Sequence, residues 1–238
     1  MPAAPLPLLV LLPGMDGTGL MFRPFLQALT GFEARVVRYP AALTSYADCV
    51  AFARAQLPAD RPFLLLGESF SGPVAIALAA ERPPSLLGLI LCVTFAKNPL
   101  PNLAWATPLL RALPPVQLPV PLLRRLLLGK RPSAELAALA TGMLQQLSAT
   151  TIKSRTLAAA AIDHTPLLQQ IQVPILALRG SRDRLIPRAT TDWIRAHRPD
   201  LDIVTLKGPH WLLQTRPEAC VQAIQDFVAR NQPPQQGA

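Results

Sequence analysis

The segment Gly67-Glu68-Ser69-Phe70-Ser71-Gly72 holds a serine at the centre of a glycine-flanked turn. A serine hydroxyl is a poor nucleophile. To act as one it must be held exposed beside a base, with N–H donors aimed at the oxyanion that forms. Gly67 and the Ser71-Gly72 pair keep side chains small where a tight turn packs, and the flanking apolar runs predict a strand before it and a helix after it. A helix starting near Gly72 would point its N-terminal dipole at Ser69. Ser69 is therefore the candidate nucleophile. Glu68 adjoins it, but on a sharp turn neighbouring side chains diverge, so Glu68 reads as structural.

The base must be a histidine, and the chain offers His164, His197 and His210. His210 follows an apolar run in Lys207-Gly208-Pro209-His210-Trp211, on a loop at the carboxyl edge of a sheet, where α/β sites assemble. His197 sits in the last turn of a predicted helix beside Arg198, a common place for a surface cation. His164, next to Asp163, reads as a solvated or substrate-side residue. The acid that orients the imidazole should lie between nucleophile and base in chain order, at the end of the preceding strand. Asp183 meets both conditions; Asp192 falls within a helix and Asp202 at a strand start, where carboxylates are ordinarily solvated. The oxyanion donors expected in this arrangement are the backbone N–H of Phe70 and one from Pro13-Gly14-Met15-Asp16-Gly17-Thr18-Gly19, with Met15 supplying the second. That glycine-rich loop lacks a Gly-Lys-Ser/Thr ending and a Gly-x-Gly-x-x-Gly fingerprint, which leaves a phosphate-loop reading little support.

These residues need a scaffold that brings strand ends to one edge. Short apolar runs at 6–12, 34–39, 62–66, 87–93, 173–178 and 201–206 predict buried strands, and helices are expected over 44–57, 73–81, 189–197 and 217–229. Either Thr44 or Ser45 can cap the first of these helices. The alternation predicts an α/β fold: a doubly wound, mostly parallel sheet of about six strands with right-handed crossovers. It stops between Lys97 and Pro166, where helical segments broken by prolines take over, with apolar periodicity over 135–147 and 151–162. The expected organisation is a core of residues 1–96 and 167–238 with an inserted helical cap at 97–166. The Gln- and Pro-rich stretch 231–238 reads as a frayed tail.

Composition bounds the remaining possibilities. The chain has 238 residues, half of them apolar and only 5% aromatic, which suits one α/β domain with aliphatic parallel strands. Its net charge is +9, yet it has no lysine-rich run, zinc-ligand spacing or interleaved aromatic platform, so nucleic acid is not the expected partner. Cys49, Cys92 and Cys220 are widely separated and odd in number, and each lies in an apolar pattern, which reads as buried free thiols. The apolar stretch 1–12 lacks a basic leader, and charges interrupt the longer apolar regions. The expectation is a cytoplasmic protein without a membrane span.

From the Pro13-Gly14-Met15-Asp16-Gly17 loop through Ser69, Asp183 and Gly208-Pro209-His210, nearly the whole chain resembles the α/β-hydrolase superfamily. Its helical insertion is similar to that of small capped carboxylesterases of the pimeloyl-carrier-protein methyl ester esterase type. The resemblance implies a Ser69-His210-Asp183 triad, an oxyanion hole from the Met15 and Phe70 amides, and no metal or organic cofactor. Two departures stand out: Pro13-Gly14 followed by Asp16 replaces the His-Gly of many members, and the chain begins directly at the strand that carries this loop.

The activity so implied is serine-dependent cleavage of carboxylic esters with an apolar acyl or alcohol portion. Acyl transfer or thioester cleavage would use the same residues, and a non-catalytic ligand-binding scaffold is the alternative from another class. Eight basic residues and two acidic ones lie between 97 and 166. They read either as solvated cap helices or as a surface for an anionic group on the substrate, such as an acyl carrier protein's phosphopantetheine arm, coenzyme A or a distal carboxylate. Arg124, Arg125, Lys130 and Arg131 are the candidate contacts for that group.

Overall fold

A computed structural model describes residues 7–231. Leu6 of the first expected strand and residues 232–238 of the expected tail lie outside the described residues. Six strands form one sheet: β1 (Leu8–Leu12), β2 (Ala34–Val36), β3 (Phe63–Glu68), β4 (Leu86–Cys92), β5 (Ile175–Gly180) and β6 (Asp202–Leu206). Their spatial order is β2-β1-β3-β4-β5-β6, and every neighbouring pair is parallel. The interior strands are short apolar runs because both faces of a parallel sheet are covered; β1 is Leu-Leu-Val-Leu-Leu, wholly buried.

In chain order the helices are α1 (Arg23–Ala28), α2 (Tyr46–Arg54), α3 (Gly72–Ala80), α4 (Thr107–Ala112), α5 (Val120–Leu128), α6 (Ala134–Gln146), α7 (Ala149–Ala161), α8 (Arg188–His197), α9 (Leu212–Thr215) and α10 (Pro217–Asn231). One face of the sheet presents Leu8, Val10, Leu65 and Leu91 to α2, α3 and α8. The other presents Leu9, Leu11, Leu66 and Ile90 to α1 and α10. Ser45 caps α2, accepting from the Asp48 N–H at 3.1 Å.

Between β4 and β5 lie α4 to α7. Ser133 and Ser148 cap the two longest of these, α6 and α7, through the N–H groups three residues on. This insertion leaves and rejoins the sheet at one neck, where the Asn98 N–H donates to the Ile162 carbonyl at 3.0 Å and the His164 N–H to the Ala96 carbonyl at 2.8 Å. Leu128, Leu136, Ala140, Met143 and Leu144 of α5 and α6 pack with Met21 and Trp211 of the core in a third apolar cluster.

The register aligns the carboxyl ends that matter. Leu12 pairs with Gly67, Gly67 with Leu91, Cys92 with Leu178, and Gly180 with Leu206. The loops beginning at Pro13, Ser69, Val93, Ser181 and Lys207 therefore leave one edge of the sheet. The strand order reverses between β1 and β3, the topological switch point where open α/β sheets bind ligands.

Candidate active site

Ser69 follows the last residue of β3 and begins a single 3-10 turn, Ser69–Ser71, that leads into α3. Its φ of 51° lies in the left-handed region, which costs a non-glycine residue on the order of 1–2 kcal/mol and persists only when its surroundings enforce it. Those surroundings are specific. The Thr94 hydroxyl donates to the Ser69 carbonyl, and the Ser71 hydroxyl donates to the Pro13 carbonyl. Thr94 also occupies the space that a side chain at position 72 would need, so only glycine fits there. Phe70, fully buried, stacks on Tyr46 with ring centroids 4.6 Å apart.

Ser69 Oγ lies 2.9 Å from His210 Nε2, and His210 Nδ1 lies 2.8 Å from Asp183 Oδ2. His210 is 3% exposed. The other oxygen of Asp183 accepts the backbone N–H groups of Leu185 and Ile186 at 2.8 and 3.0 Å, which fixes the carboxylate plane. The loop holding His210 is itself fixed, because the Trp211 N–H donates to the Leu127 carbonyl at the end of α5. A hydroxyl, an imidazole and a carboxylate are thus in one hydrogen-bonded line. In that line the hydroxyl proton can pass to Nε2 while the carboxylate holds the Nδ1 proton and stabilises the imidazolium.

The remaining candidates are elsewhere. Asp192 pairs with Arg179, and Asp202 with Arg230. His197 Nδ1 is 2.9 Å from the Trp193 carbonyl of its own helix. His164 is half-buried: its Nδ1 is 2.9 Å from the Pro73 carbonyl, and it pins the neck of the insertion against α3.

Gly14 brings the β1 loop against Ser69, close enough that a Cβ there would lie 3.8 Å from Ser69 Cβ. Asp16 accepts from the Thr18 N–H at 2.9 Å and so shapes the loop internally. Met15 is held from the insertion. Arg155 of α7, fully buried, donates to the Met15 carbonyl at 2.7 Å and to the Leu43 carbonyl at 2.8 Å through Nη2 and 3.1 Å through Nε. Burial lowers the pKa of its guanidinium. Gly17, with φ 75°, leaves room for it, since a Cβ at that position would lie 2.5 Å from Arg155 Nη1.

Glu68 is buried, accepting from Gln214 Nε2 at 2.9 Å. Burial pushes its carboxyl up to about 7, opposed by the Gln214 hydrogen bond.

Of the four cations of the insertion expected to contact an anion, Arg125, Lys130 and Arg131 line one cavity of about 1070 Å³, which also takes in Asp183 and Gln214. Arg124 does not line it; its Nη1 donates to Thr141 Oγ1 at 3.3 Å. Three other basic residues of the insertion are spoken for: Arg155 as above, Lys153 by the Arg111 carbonyl at 3.0 Å, and Lys97 by the Trp193 ring. Sequence reasoning did not single out Arg155, Thr94 or the Ser71–Pro13 bond, because each acts on a backbone carbonyl and no residue type advertises that.

The alpha/beta hydrolase family matches this chain over residues 9–223. A stretch of the AMB antimetabolite synthetase AmbE of Pseudomonas aeruginosa is 30% identical over 177 residues, 73% of this chain. The chain spans 8% of that relative's length. Among solved structures, a carboxylesterase study of Nitrososphaera gargenis gives a TM-score of 0.76 at 17% identity, covering 94% of this chain and 90% of that one. The enol-lactonase of Burkholderia xenovorans gives 0.71 at 19% identity, covering 96% and 94%. At these identities the structural likeness speaks to the fold alone.

Proposed function

The chain belongs to the alpha/beta hydrolase family, and on that premise we propose that it cleaves carboxylic esters with an apolar acyl or alcohol portion through an acyl-enzyme on Ser69. The observation that carries this reading is the line from Ser69 Oγ through the His210 imidazole to Asp183, with both links under 3 Å.

In the proposed reaction Ser69 Oγ attacks the ester carbonyl as His210 Nε2 takes its proton. Asp183 holds the imidazole in the tautomer that keeps Nε2 free to accept. The Phe70 and Met15 N–H groups receive the oxyanion, a stabilisation worth about 3 to 4 kcal/mol per donor in comparable sites. His210 then returns the proton to the leaving alcohol, and water attacks the acyl-enzyme by the same steps in reverse. Residues 97–166 act as the cap, whose α7 holds the Met15 loop and whose α5 holds the loop carrying His210. An ester or thioester carried on coenzyme A or an acyl carrier protein falls within the same chemistry.

The test is covalent labelling by a fluorophosphonate, with turnover of p-nitrophenyl esters and acyl thioesters of increasing chain length. The chain should be labelled once, at Ser69, and Ser69→Ala should abolish both labelling and turnover while leaving the fold intact. An unlabelled wild-type chain would make it a binding scaffold. More than a few per cent of activity left in Ser69→Ala would remove Ser69 from the nucleophile's role.

A further inference from the structure

The cavity beside Asp183 is lined by more cations than the insertion alone contributes. Arg125 comes from α5, Lys130 and Arg131 from the turn between α5 and α6, and Arg182 and Arg184 flank Asp183 on the loop after β5. Lys207 and Arg216 bracket the segment that carries His210 and α9. Three separate stretches of chain therefore turn basic side chains on one space, and among the residues lining it the one carboxylate is Asp183. That carboxylate is committed to the His210 imidazole and to two backbone N–H groups.

Among the described residues none of the seven cations lining the cavity has an acidic partner; Arg54, Arg61, Arg179, Arg198 and Arg230 elsewhere do, while others such as Arg23 and Arg188 do not, so what marks the cavity is the convergence of its cations. All seven side chains are exposed, so water screens them, yet like charges gathered around one concave space still repel and together set up a positive field there. A fold carries such a cluster at lowest cost when a mobile anion balances it. Arg216 is already held in place, its Nε donating to the Lys207 carbonyl and its Nη1 to the Thr215 carbonyl, both at 2.8 Å. Guanidinium forks suit phosphate oxygens, and five of the seven cations are arginines. At about 1070 Å³ the cavity is at the upper end of the range for small-molecule sites.

We propose that this cavity is a binding site for a small molecule bearing two or more phosphate groups. Ser69 and His210 do not line it, so the anion sits on the Asp183 side of the imidazole, apart from the nucleophile. The inference rests on the cavity and requires nothing of Ser69. Two sources supply the same chemistry, a nucleoside diphosphate and an inorganic polyphosphate, and the probes separate them.

The experiment is calorimetric titration of the full chain with ADP and with tripolyphosphate at low salt. The probes are repeated on Arg182→Gln/Lys207→Gln and on a control, Arg54→Gln/Arg61→Gln, with circular dichroism to verify that all three fold. The control removes the same charge from α2 and from the stretch just before β3, at the opposite edge of the sheet. Saturable 1:1 binding is expected, weakened at least tenfold in the cavity variant, unchanged in the control, and falling steeply as salt is raised. Tighter binding of ADP than of tripolyphosphate assigns the site to a nucleotide; the reverse assigns it to polyphosphate. Non-saturable heats with both probes, or equal weakening in the two variants, overturns the proposal. Labelling of Ser69 by a fluorophosphonate is scored separately, so failure of either reading leaves the other standing.

Discussion

The helices inserted between β4 and β5 meet the carboxyl edge of the sheet at two places that use arginine in opposite ways. At α7 a single guanidinium is fully buried, and its N–H groups are taken up by the carbonyls of Met15, Pro40 and Leu43. At the turn between α5 and α6 several basic side chains face an open cavity, and among the described residues none of them has an acidic partner. A cation whose donors are saturated by the chain's own oxygens is part of the structure. A cation whose donors meet only water remains available to something else. Counting charges along the insertion merges these two roles; tracing where the donors go separates them.

Asp183 stands at the border of the two regions, bonded to His210 and also lining the cavity, and it gives the comparison its largest test. Asp183→Asn should lower kcat by about three to four orders of magnitude with little change in KM, because the amide favours the wrong imidazole tautomer. Steady-state kinetics on a p-nitrophenyl ester checks this. A variant that kept its turnover and only changed anion binding would move Asp183 wholly to the cavity's side.

Arg155→Met comes next. It strands at least the Met15 and Leu43 carbonyls in a buried space, and we expect a loss of roughly 3 to 5 kcal/mol in chemical denaturation. A fall in kcat of ten- to a hundred-fold should accompany it, since the Met15 loop loses its clasp. Arg155→Lys should recover part of both. Full kcat in a folded Arg155→Met would show that the clasp stabilises without positioning.

Glu68 is the acidic counterpart, a buried carboxyl with amide partners and no cation hydrogen-bonded to it among the described residues. Its pKa is raised from 4.5 to about 7, so the folded chain binds more protons than the unfolded chain between those values. The stability this group contributes is therefore complete below about pH 4.5 and is lost as pH rises through 7. Glu68→Gln should gain stability relative to wild type from pH 5 to pH 8, by up to about 3 kcal/mol. Denaturation curves at several pH values measure the difference, and a constant difference would mean the carboxyl does not titrate there. The smallest effect is expected in the cavity itself, where Arg125→Gln and Lys130→Gln should each change stability by less than about 0.5 kcal/mol.

The sheet was readable because its interior strands are continuous apolar runs, and strand ends in turn located Ser69, Asp183 and His210. The limits of that reading have physical causes. Prolines at 119 and 121 suggested broken structure, yet Pro121 lies in the first turn of α5, where a missing N–H costs nothing. The six-residue α1 is too short to show periodicity. His164 read as solvated or substrate-side, and its contact with the Pro73 carbonyl was hidden because that partner is 91 residues away. The cluster at 124–131 drew attention as a run in sequence, whereas Arg182, Arg184, Lys207 and Arg216 join it only through the fold.

The neck of the insertion has a consequence for how the chain could be re-engineered. Ala96–Asn98 and Ile162–His164 are hydrogen-bonded neighbours, bridged antiparallel at Lys97 and Asp163, so everything between them leaves and returns through one doorway. Such a doorway is a splice point. The entropy of closing a loop between ends already in contact grows only logarithmically with its length, so a foreign segment could be grafted there while β4 and β5 keep their register. What a graft would not inherit is the grip of Arg155 on Met15 and of Leu127 on Trp211. A transplanted cap would have to bring its own hands for both loops, and a chimera built without them should fold as a sheet with an idle serine.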